Sequence, residues 1–565
     1  MFTFVEIVIF MLQRNNYLLS LRLACIFVWC TACGGSDKNT DTRVAIDPDS
    51  IEYRTVSNTD KAFSIDVPLN LLGAPKPAST DAIEVLDAFY EIPEDSTDSF
   101  KENILLVTGD LTQEDVLPSA FSNHKITSSS NELVGSYNAE IVTGKFDLTS
   151  ERGDSINLEY MTITIETHGK LYGLQYMAEA RRFNTYKEIA KKMVASWQIG
   201  LVIEGTGDTT FQVHDYPPAS ITNNNDGYLV TYCMMTSLHS SAILSKLISK
   251  DGEILKEIVI DGDISNSSTV DCASISPKVI FNGSNYLVAY SIRDSLENNS
   301  NTELFAKRIS TDGNVLDDTP ILISNYKNHL NQSSFDITFD GGNSVVVWYD
   351  EVPDDSRGQI RKILASFISN DGSISTPITV HEFSESYSNP VSPMVKSNQN
   401  SILIAWEGRR DFEAIEISFD GNIISLELIN PLPDSSEYQS EVTFTSTDSE
   451  FIFSWNESGS IHAVRVSNGQ LIYPNLPEGT EIVKRLNSDI LTLINSNYFD
   501  GVVQFLYEYQ DSIYSITTDT IFSGMADPKQ FYPCCSKYGV NKSHIDGDNY
   551  LVIVTLRNGK VIAWP

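Results

Sequence analysis

Between residues 205 and 565, short polar turns rich in Asn, Asp or Gly alternate with apolar strands that carry an aromatic residue near their end. The pattern occurs seven times, at Gly227–Tyr232, Asn285–Tyr290, Asn343–Trp348, Asn400–Trp406, Glu450–Trp455, Gly501–Phe505 and Asn549–Val554. The last residues of successive copies are 58, 58, 58, 49, 50 and 49 residues apart. One small sheet cannot bury both of its faces alone, so the copies are expected to pack on one another.

A period of about fifty residues with several strands in each copy is typical of a β-propeller. We therefore predict a mainly β protein in which residues 205–565 form a seven-bladed propeller, with strands A to D in each blade. An Asx-Gly pair recurs between strands C and D, where it supplies the positive φ angle of a tight hairpin turn. These pairs are Asp251-Gly252, Asp312-Gly313, Asp371-Gly372, Asp420-Gly421 and Asn468-Gly469. The aspartates thus have a structural explanation, and no metal site is expected.

The last copy ends after its strand C, Lys560–Trp564, and has no strand D. An additional strand, Thr209–His214, precedes the first copy. An open ring would leave two unpaired sheet edges. We therefore expect Thr209–His214 to pair with the last copy and close the ring.

Residues 51–200 mix strands with a helix and are predicted to form a first domain. Ala62–Pro68 alternates as a strand that stops at proline, and Tyr160–Met177 is typical of a hairpin. Asn184 is predicted to cap a helix in which apolar residues recur every three or four positions, at Tyr186, Ile189, Met193 and Trp197.

Phe63–Pro68, the hairpin and the closing run Phe183–Ile199 resemble the PsbP-like (DcrB-like) family. The resemblance covers residues 51–200 and implies a small α/β sandwich. Members of that family are mostly accessory, assembly or binding domains without a shared catalytic set. The resemblance therefore transfers no site residues.

Residues 1–32 have the features of a secretory signal peptide, namely basic residues, a short apolar run at Leu23–Trp29 and small residues before a break. Met11 alone also opens a signal of normal length. Small residues before Cys33, followed by Gly-Gly-Ser, resemble the processing site of a bacterial lipoprotein. The resemblance implies that Cys33 becomes the lipidated N-terminus and that Gly34 is a signal for the outer membrane of a Gram-negative cell. Residues 33–50 have few apolar residues and many Asp, Thr and Ser, so they are predicted to form a flexible tether. The alternative is an ordinary cleaved signal; which membrane face the protein occupies stays open.

The chain has 75 acidic and 39 basic residues, a net charge of −36, so its surface repels phosphates and nucleic acid is excluded as a partner. Without the N-terminal cysteines four remain, an even number that suits an oxidising compartment. We suggest the pairs Cys233–Cys272 and Cys534–Cys535, although four cysteines allow three pairings.

The sequence contains no nucleophile–base motif, no zinc-binding histidine pair and no phosphate-binding glycine loop. Asp350 and Glu351 follow strand B of the third copy, while Glu407, Arg409 and Arg410 follow strand B of the fourth. Carboxylates and arginines on one rim could bind or cleave a glycan. In so acidic a chain, such residues are more often simply solvated. Recurring aromatics at the ends of strand B are expected to pack between blades rather than to stack on sugars.

We expect a lipid-anchored cell-envelope protein whose propeller binds or scaffolds an envelope or extracellular protein or glycan, without catalysis and without a cofactor. Its membrane contact would be the N-terminal lipid. Two alternatives remain open: a propeller glycoside hydrolase or lyase acting on envelope or environmental polysaccharide, and an accessory factor for outer-membrane assembly.

Overall fold

The fold was analysed in a computed structural model of the chain. The structure describes residues 50–58, 62–74, 84–91, 102–109, 125–135, 137–149, 155–167, 170–180, 182–204, 219–224, 226–237, 240–250, 252–262, 276–293, 302–324, 335–354, 358–383, 392–407, 412–424, 439–457, 460–472, 481–483, 492–499, 502–509, 512–519, 529–533, 540–546, 549–555 and 561–564. The chain divides into two compact units, residues 1–199 and residues 200–565.

The described residues of the first unit form antiparallel sheets and one long helix. Within its described residues the elements follow in the order β1 (Tyr53–Asn58), β2 (Phe63–Pro68), β3 (Leu71–Gly73), β4 (Glu84–Glu91), β5 (Asn103–Gly109), β6 (Lys125–Val134), β7 (Tyr137–Thr149), β8 (Ser155–Thr167), β9 (Lys170–Glu179), α1 (Phe183–Ala195) and β10 (Gln198–Ile199). A seven-stranded sheet has the order β3-β4-β5-β9-β8-β7-β6, and a smaller sheet has the order β1-β2-β10.

The main core of this unit lies between the large sheet and a layer formed by α1 and the small sheet. The predicted hairpin is present as β8 and β9. The predicted helix is present, but Asn184 lies in its first turn. The N-cap is Arg182, which makes no side-chain capping bond. Burial of Phe183, Tyr186 and Ile189 against the sheet therefore fixes the start of this helix more than capping does.

The second unit is a β-propeller. Among its described residues, β11 (Leu201–Glu204) comes first. Blade 1 contains β12 (Ser220–Asn223), β13 (Gly227–Ser237), β14 (Ser240–Ser249) and β15 (Ile254–Gly262), and blade 2 contains β16 (Lys278–Phe281), β17 (Tyr286–Arg293), β18 (Thr302–Ile309) and β19 (Ile321–Ser324). Blade 3 contains β20 (Phe335–Phe339), β21 (Ser344–Asp354), β22 (Gly358–Ile368) and β23 (Ile378–Glu382), and blade 4 contains β24 (Met394–Ser397), β25 (Ile402–Glu407) and β26 (Phe412–Ile417). Blade 5 contains β27 (Gln439–Ser446), β28 (Phe451–Glu457), β29 (Ser460–Ser467), β30 (Gln470–Ile472) and β31 (Glu481–Val483), blade 6 contains β32 (Thr492–Phe499), β33 (Val502–Tyr509), β34 (Ser512–Asp519) and β35 (Lys529–Pro533), and blade 7 contains β36 (Val540–Asp546), β37 (Asn549–Thr555) and β38 (Val561–Trp564).

The first strand of each blade lies innermost and contacts the first strand of the next blade. The series runs β12, β16, β20, β24, β27, β32 and β36, and β36 contacts β12 again. The ring is therefore closed by seven blades, as the repeat predicts.

The strand that completes blade 7 differs from the predicted one. β38 pairs with β37 on one side and with β11 on the other, with Leu201 opposite Ala563. Both edges of β38 are thus occupied, so the predicted partner Thr209–His214 is wrong; that segment lies outside the described residues. An apolar run immediately after the first unit, Leu201–Ile203, is the sequence signal that identifies the closing strand.

Candidate functional site

The two ends of the propeller are built differently. One end carries the A–B and C–D turns and is named here the turn end; the other carries the B–C and D–A connections and is named the loop end. In blades 1 to 5 the A–B turn begins with a side-chain oxygen that accepts backbone N–H groups two and three residues later. These residues are Asn224, Asn282, Asp340, Asn398 and Thr447.

The C–D turns are held in the same manner. The predicted glycines have positive φ angles between 72° and 90° at Gly252, Gly313, Gly372, Gly421 and Gly469. In three blades a serine before the Asp-Gly pair accepts the N–H of the fourth residue after it, as Ser310 does from Asn314. The hydroxyl of Ser369 and the amide of Ser373 lower the pKa of Asp371 to about 2. The turn end is thus fixed by its own short-range hydrogen bonds.

The D–A connections at the loop end span more residues than the A–B turns at the turn end. They are 263–277, 325–334 and 383–393, against A–B turns of 282–285, 340–343 and 398–401. In blades 1 to 3 the B–C connections at the loop end are 238–239, 294–301 and 355–357, and the C–D connections at the turn end are 250–253, 310–320 and 369–377. Variable connections on a rigid scaffold are where binding residues of proteins concentrate. The loop end is therefore the candidate functional face.

The aromatic residues at the ends of strand B are buried between blades, as expected. Tyr290, Trp348, Trp406 and Trp455 are each at most 1% exposed. Trp406 packs against Val347 and Ile363 of blade 3, and Trp455 against Leu403 of blade 4. These rings stabilise the stacking of blades and are not an open platform for sugars.

Three of these four aromatic side chains each donate a hydrogen bond to a different carboxylate. The Tyr290 hydroxyl donates to Asp261 Oδ2 at 2.6 Å, across the junction of blades 1 and 2. Burial, together with this carboxylate, raises the pKa of Tyr290. Trp348 Nε1 donates to Asp350 Oδ2 at 3.2 Å, and Trp406 Nε1 donates to Glu413 Oε2 at 2.9 Å. Several acidic residues near the loop end therefore serve the packing of aromatics.

Asp350 and Glu351 lie within β21 rather than in a loop after it, and both are buried. Because they are adjacent in a strand, their side chains point to opposite faces of the blade. Asp350 accepts the hydroxyl of Ser324 in blade 2 at 3.0 Å. Glu351 pairs with Arg361 Nε at 3.0 Å and accepts the hydroxyl of Tyr349 at 3.4 Å. The two carboxylates do not converge, so they cannot form the paired acid and base of a glycosidase.

The predicted blade 4 residues are only partly described. Glu407 ends β25, where its backbone lies opposite Phe412. Arg409 and Arg410 lie outside the described residues. Their role in binding stays a prediction.

His381 is a neighbour that sequence reasoning missed. Its ring lies 5.0 Å from that of Trp406 and 4.7 Å from that of Phe383, at the junction of blades 3 and 4. Burial lowers the pKa of His381, while Glu382 opposes this effect. His381 does not have the spacing to other histidines that a metal site needs. The repeat was the one sequence signal for it, because the repeat places His381 at the end of strand D, beside the aromatic residue of the next blade.

Cys233 is buried and disulfide-bonded. The other cysteines, including Cys33, Cys272, Cys534 and Cys535, lie outside the described residues, so the pairing stays a prediction. In the described part of the chain no group of three or more His, Cys, Asp or Glu side chains is placed to hold a metal ion. No helix among the described residues has the length and apolar character to cross a membrane.

No family model matches the chain, and no curated protein matches it. Among solved structures, the β-propeller domain of the trilobed protease from Pyrococcus furiosus is similar over 72% of this chain and 98% of that domain, with 10% identity and a TM-score of 0.34. Prolyl oligopeptidase B from Galerina marginata is 9% identical over 76% of this chain, with a TM-score of 0.36; the chain spans 55% of that enzyme's length.

For the first unit, the cyanobacterial PsbP protein of Synechocystis is similar over 26% of this chain and 92% of its own length, with 10% identity and a TM-score of 0.18. Scores this low leave the PsbP-like resemblance a prediction. The chain is a mainly β protein with a β-propeller, and its own sheet order establishes that fold.

Proposed function

We propose that this chain is a lipid-anchored cell-envelope protein whose propeller binds an envelope or extracellular protein or glycan through its loop end, without catalysing a reaction. The contrast between the two ends of the propeller carries the proposal. Side-chain oxygens fix the A–B turns at the turn end, whereas the D–A connections that follow blades 1 to 3 at the loop end each span ten or more residues. A rigid base that presents several variable loops is an arrangement suited to recognition.

The acidic and aromatic residues described near the loop end support binding over catalysis. Asp350 accepts a hydrogen bond from Ser324 of the neighbouring blade, while Glu351 and Glu413 accept bonds from Arg361 and Trp406 within their own blades. Recognition would then depend on the connections themselves, and on Glu407, Arg409 and Arg410 in blade 4. The net charge of −36 disfavours polyanionic partners.

Shortening one loop tests the proposed face. Arg293 and Thr302 lie opposite each other in β17 and β18, so an Asn-Gly pair in place of residues 294–301 would close a two-residue hairpin without changing the register. The fragment 51–565 and this variant would be compared on a glycan array and by crosslinking to envelope partners in cells. We expect the variant to lose at least tenfold in binding to the ligand that the unaltered fragment captures.

The matched control is Asp226→Lys, which changes an exposed residue at the turn end and should leave binding within twofold. Loss of binding in the control but not in the loop variant would move the site to the turn end. Release of reducing sugar from an envelope polysaccharide by the fragment 51–565 would replace the binding role with an enzymatic one.

The anchor is tested separately. Cys33→Ser should release the protein from the membrane fraction if Cys33 is lipidated, because one polar tether cannot hold the chain on a bilayer. Protease treatment of intact cells then distinguishes a surface position from a periplasmic one. A Cys33→Ser protein that stays membrane-bound would contradict the lipid anchor.

A further inference from the structure

The exposed edge of the large sheet in the first unit is a second candidate for interaction. Among the described strands β6 is the terminal strand of this sheet, and it pairs with β7. All residues from Lys125 to Leu133 are exposed, including Ile126 at 43% and Leu133 at 73%. An edge strand presents backbone N–H and C=O groups that can pair with another strand.

A bulge in β6 places its two exposed aliphatic residues on one face. Val134 lies in the main core, so Leu133, the preceding residue, faces the other side of the sheet. Ile126 is opposite Gly144, and a Cβ at Gly144 would meet the ring of Tyr160. Tyr160 belongs to the apolar cluster on that other side. Without the register shift between Ile126 and Ser128, Ile126 and Leu133 would lie on opposite faces.

The hairpin register determines which backbone groups of β6 point outward. Val134 is opposite Tyr137, so a two-residue turn joins β6 and β7. The closing pair of such a hairpin exchanges backbone hydrogen bonds. By alternation, the N–H and C=O groups of Ser129, Asn131 and Leu133 point away from β7.

We propose that β6 pairs antiparallel with β6 of a second copy of this chain, about a two-fold axis through Ser130. In this register Ser129 of each copy lies opposite Asn131 of the other, so outward backbone groups meet. Leu133 then lies beside the bulged segment Ile126–Thr127 of the second copy, on the same face, and the contact occurs twice. The pairing covers both exposed aliphatic residues of the strand.

The local charge of β6 favours a second copy of the chain as its partner. The chain carries a net charge of −36, yet β6 itself contains one cation, Lys125, and one anion, Glu132. Glu132 is already paired with Lys191 of α1 at 2.6 Å. Two copies can therefore approach at this edge without the like-charge repulsion expected elsewhere on so acidic a chain.

Cysteine trapping tests the register. At the axis, Ser130 would face its own copy in a non-hydrogen-bonded pair, with a Cα–Cα distance of about 4.5 Å that suits a disulfide. We expect full-length Ser130→Cys protein to give a covalent dimer in cells, on non-reducing gels. Ser129→Cys is the matched control, because its two copies would be too far apart to bridge. Trapping at position 129 and not at 130 would overturn the register, and trapping at neither would overturn the pairing.

Light scattering of the purified full-length chain in detergent gives an independent test. We expect a concentration-dependent dimer below about 100 µM. One pair of edge strands buries a small area, and interfaces of small area are usually weak. Leu133→Lys should weaken dimerisation by at least about tenfold. Leu255→Lys, at an exposed leucine in the propeller, should leave it unchanged. A monomer at all concentrations, or equal dimerisation of both variants, would contradict the proposal.

Discussion

The first unit and the propeller bury their apolar side chains in different ways. In the first unit one large core collects residues from both sheets and from α1. In the described part of the propeller the cores are smaller, and four of them are each shared by two consecutive blades, as in the cluster that contains Trp406 of blade 4 and Val347 of blade 3. Damage in the first unit should therefore spread through the whole unit, whereas damage in the propeller should reach one junction and the two blades that meet there.

Removing one buried indole from each unit tests this difference. Trp197→Ala and Trp406→Ala should each cost about 3–5 kcal/mol of unfolding free energy, because both side chains are fully buried and leave a cavity. By hydrogen exchange, Trp406→Ala should lower protection in β21, β22, β25 and β26 together. Trp197→Ala should lower it in α1 and across the large sheet. Protection lost in blade 4 alone would contradict the shared core.

A smaller effect is expected from a polar contact between blades. Arg308 in β18 binds Asp317 of its own blade, with Nη2 2.5 Å from Oδ1, and donates from Nη1 to the Asn370 carbonyl of blade 3 at 2.8 Å. Arg308→Gln should lower the unfolding free energy by about 1–2 kcal/mol, since charge-assisted bonds are lost in a partly buried place. Urea denaturation measures the change.

The control for Arg308 is the equivalent contact in which Lys256 of blade 1 donates to Asn314 of blade 2 at 2.7 Å. Both contacts between blades are exposed, whereas the bond from Arg308 to Asp317 is partly buried. Lys256→Gln should cost less than about 1 kcal/mol. Equal costs for the two variants would show that the partly buried bond from Arg308 to Asp317 adds no stability.

A third test compares the residues that hold the same A–B turn position in neighbouring blades. Asp340 occupies the turn position that Asn282 and Asn398 hold in neighbouring blades. Its Oδ1 accepts two backbone N–H groups, while its buried Oδ2 has no hydrogen-bond partner among the described residues. Asp340→Asn keeps the accepting oxygen and removes a buried charge, so it should stabilise the protein by up to about 1 kcal/mol at pH 7. Asn398→Asp should do the reverse, and a destabilised Asp340→Asn protein would contradict this account.

The smallest expected effect is the pH dependence at the junction of blades 3 and 4. Because burial lowers the pKa of His381, the unfolded chain binds a proton there more readily than the folded one. The contribution of neutral His381 to the unfolding free energy should be fully present above the pKa of about 6.5 that a histidine has in the unfolded chain. It should decline as the pH falls from there to the pKa of His381 in the folded protein. The difference in urea midpoint between pH 7.5 and pH 5 should shrink in His381→Gln. An unchanged difference would assign the acid sensitivity to other groups.

Much of the propeller could be predicted because its repeat is local and periodic. The turns at Asp312-Gly313 and the buried aromatics such as Trp348 recur at one interval, so each copy supports the others. The closing strand could not be chosen correctly, since Leu201–Glu204 and Thr209–His214 both have strand character and the pairing joins residues far apart in sequence. β6 was missed as well, because an edge strand exposed on both faces has no apolar alternation to reveal it.

The candidate site was harder to predict than the fold. Asp350 and Glu351 were grouped because they are adjacent, but adjacency in a strand separates side chains onto opposite faces. The partners of these residues, Ser324 and Arg361, come from other strands and could not be identified without the register. Sequence periodicity thus predicts which residues pack between blades better than it predicts which polar groups converge.

The pairing of β11 with β38 has a consequence for the order of events during synthesis. Leu201–Glu204 leaves the ribosome hundreds of residues before Val561–Trp564, so blade 7 stays incomplete while all the other blades emerge. Contacts this distant in sequence form slowly. A ribosome that stops a few codons short of Trp564 would release six complete blades and a seventh that lacks its last strand. The unpaired edge of that blade would make the product prone to proteolysis and aggregation.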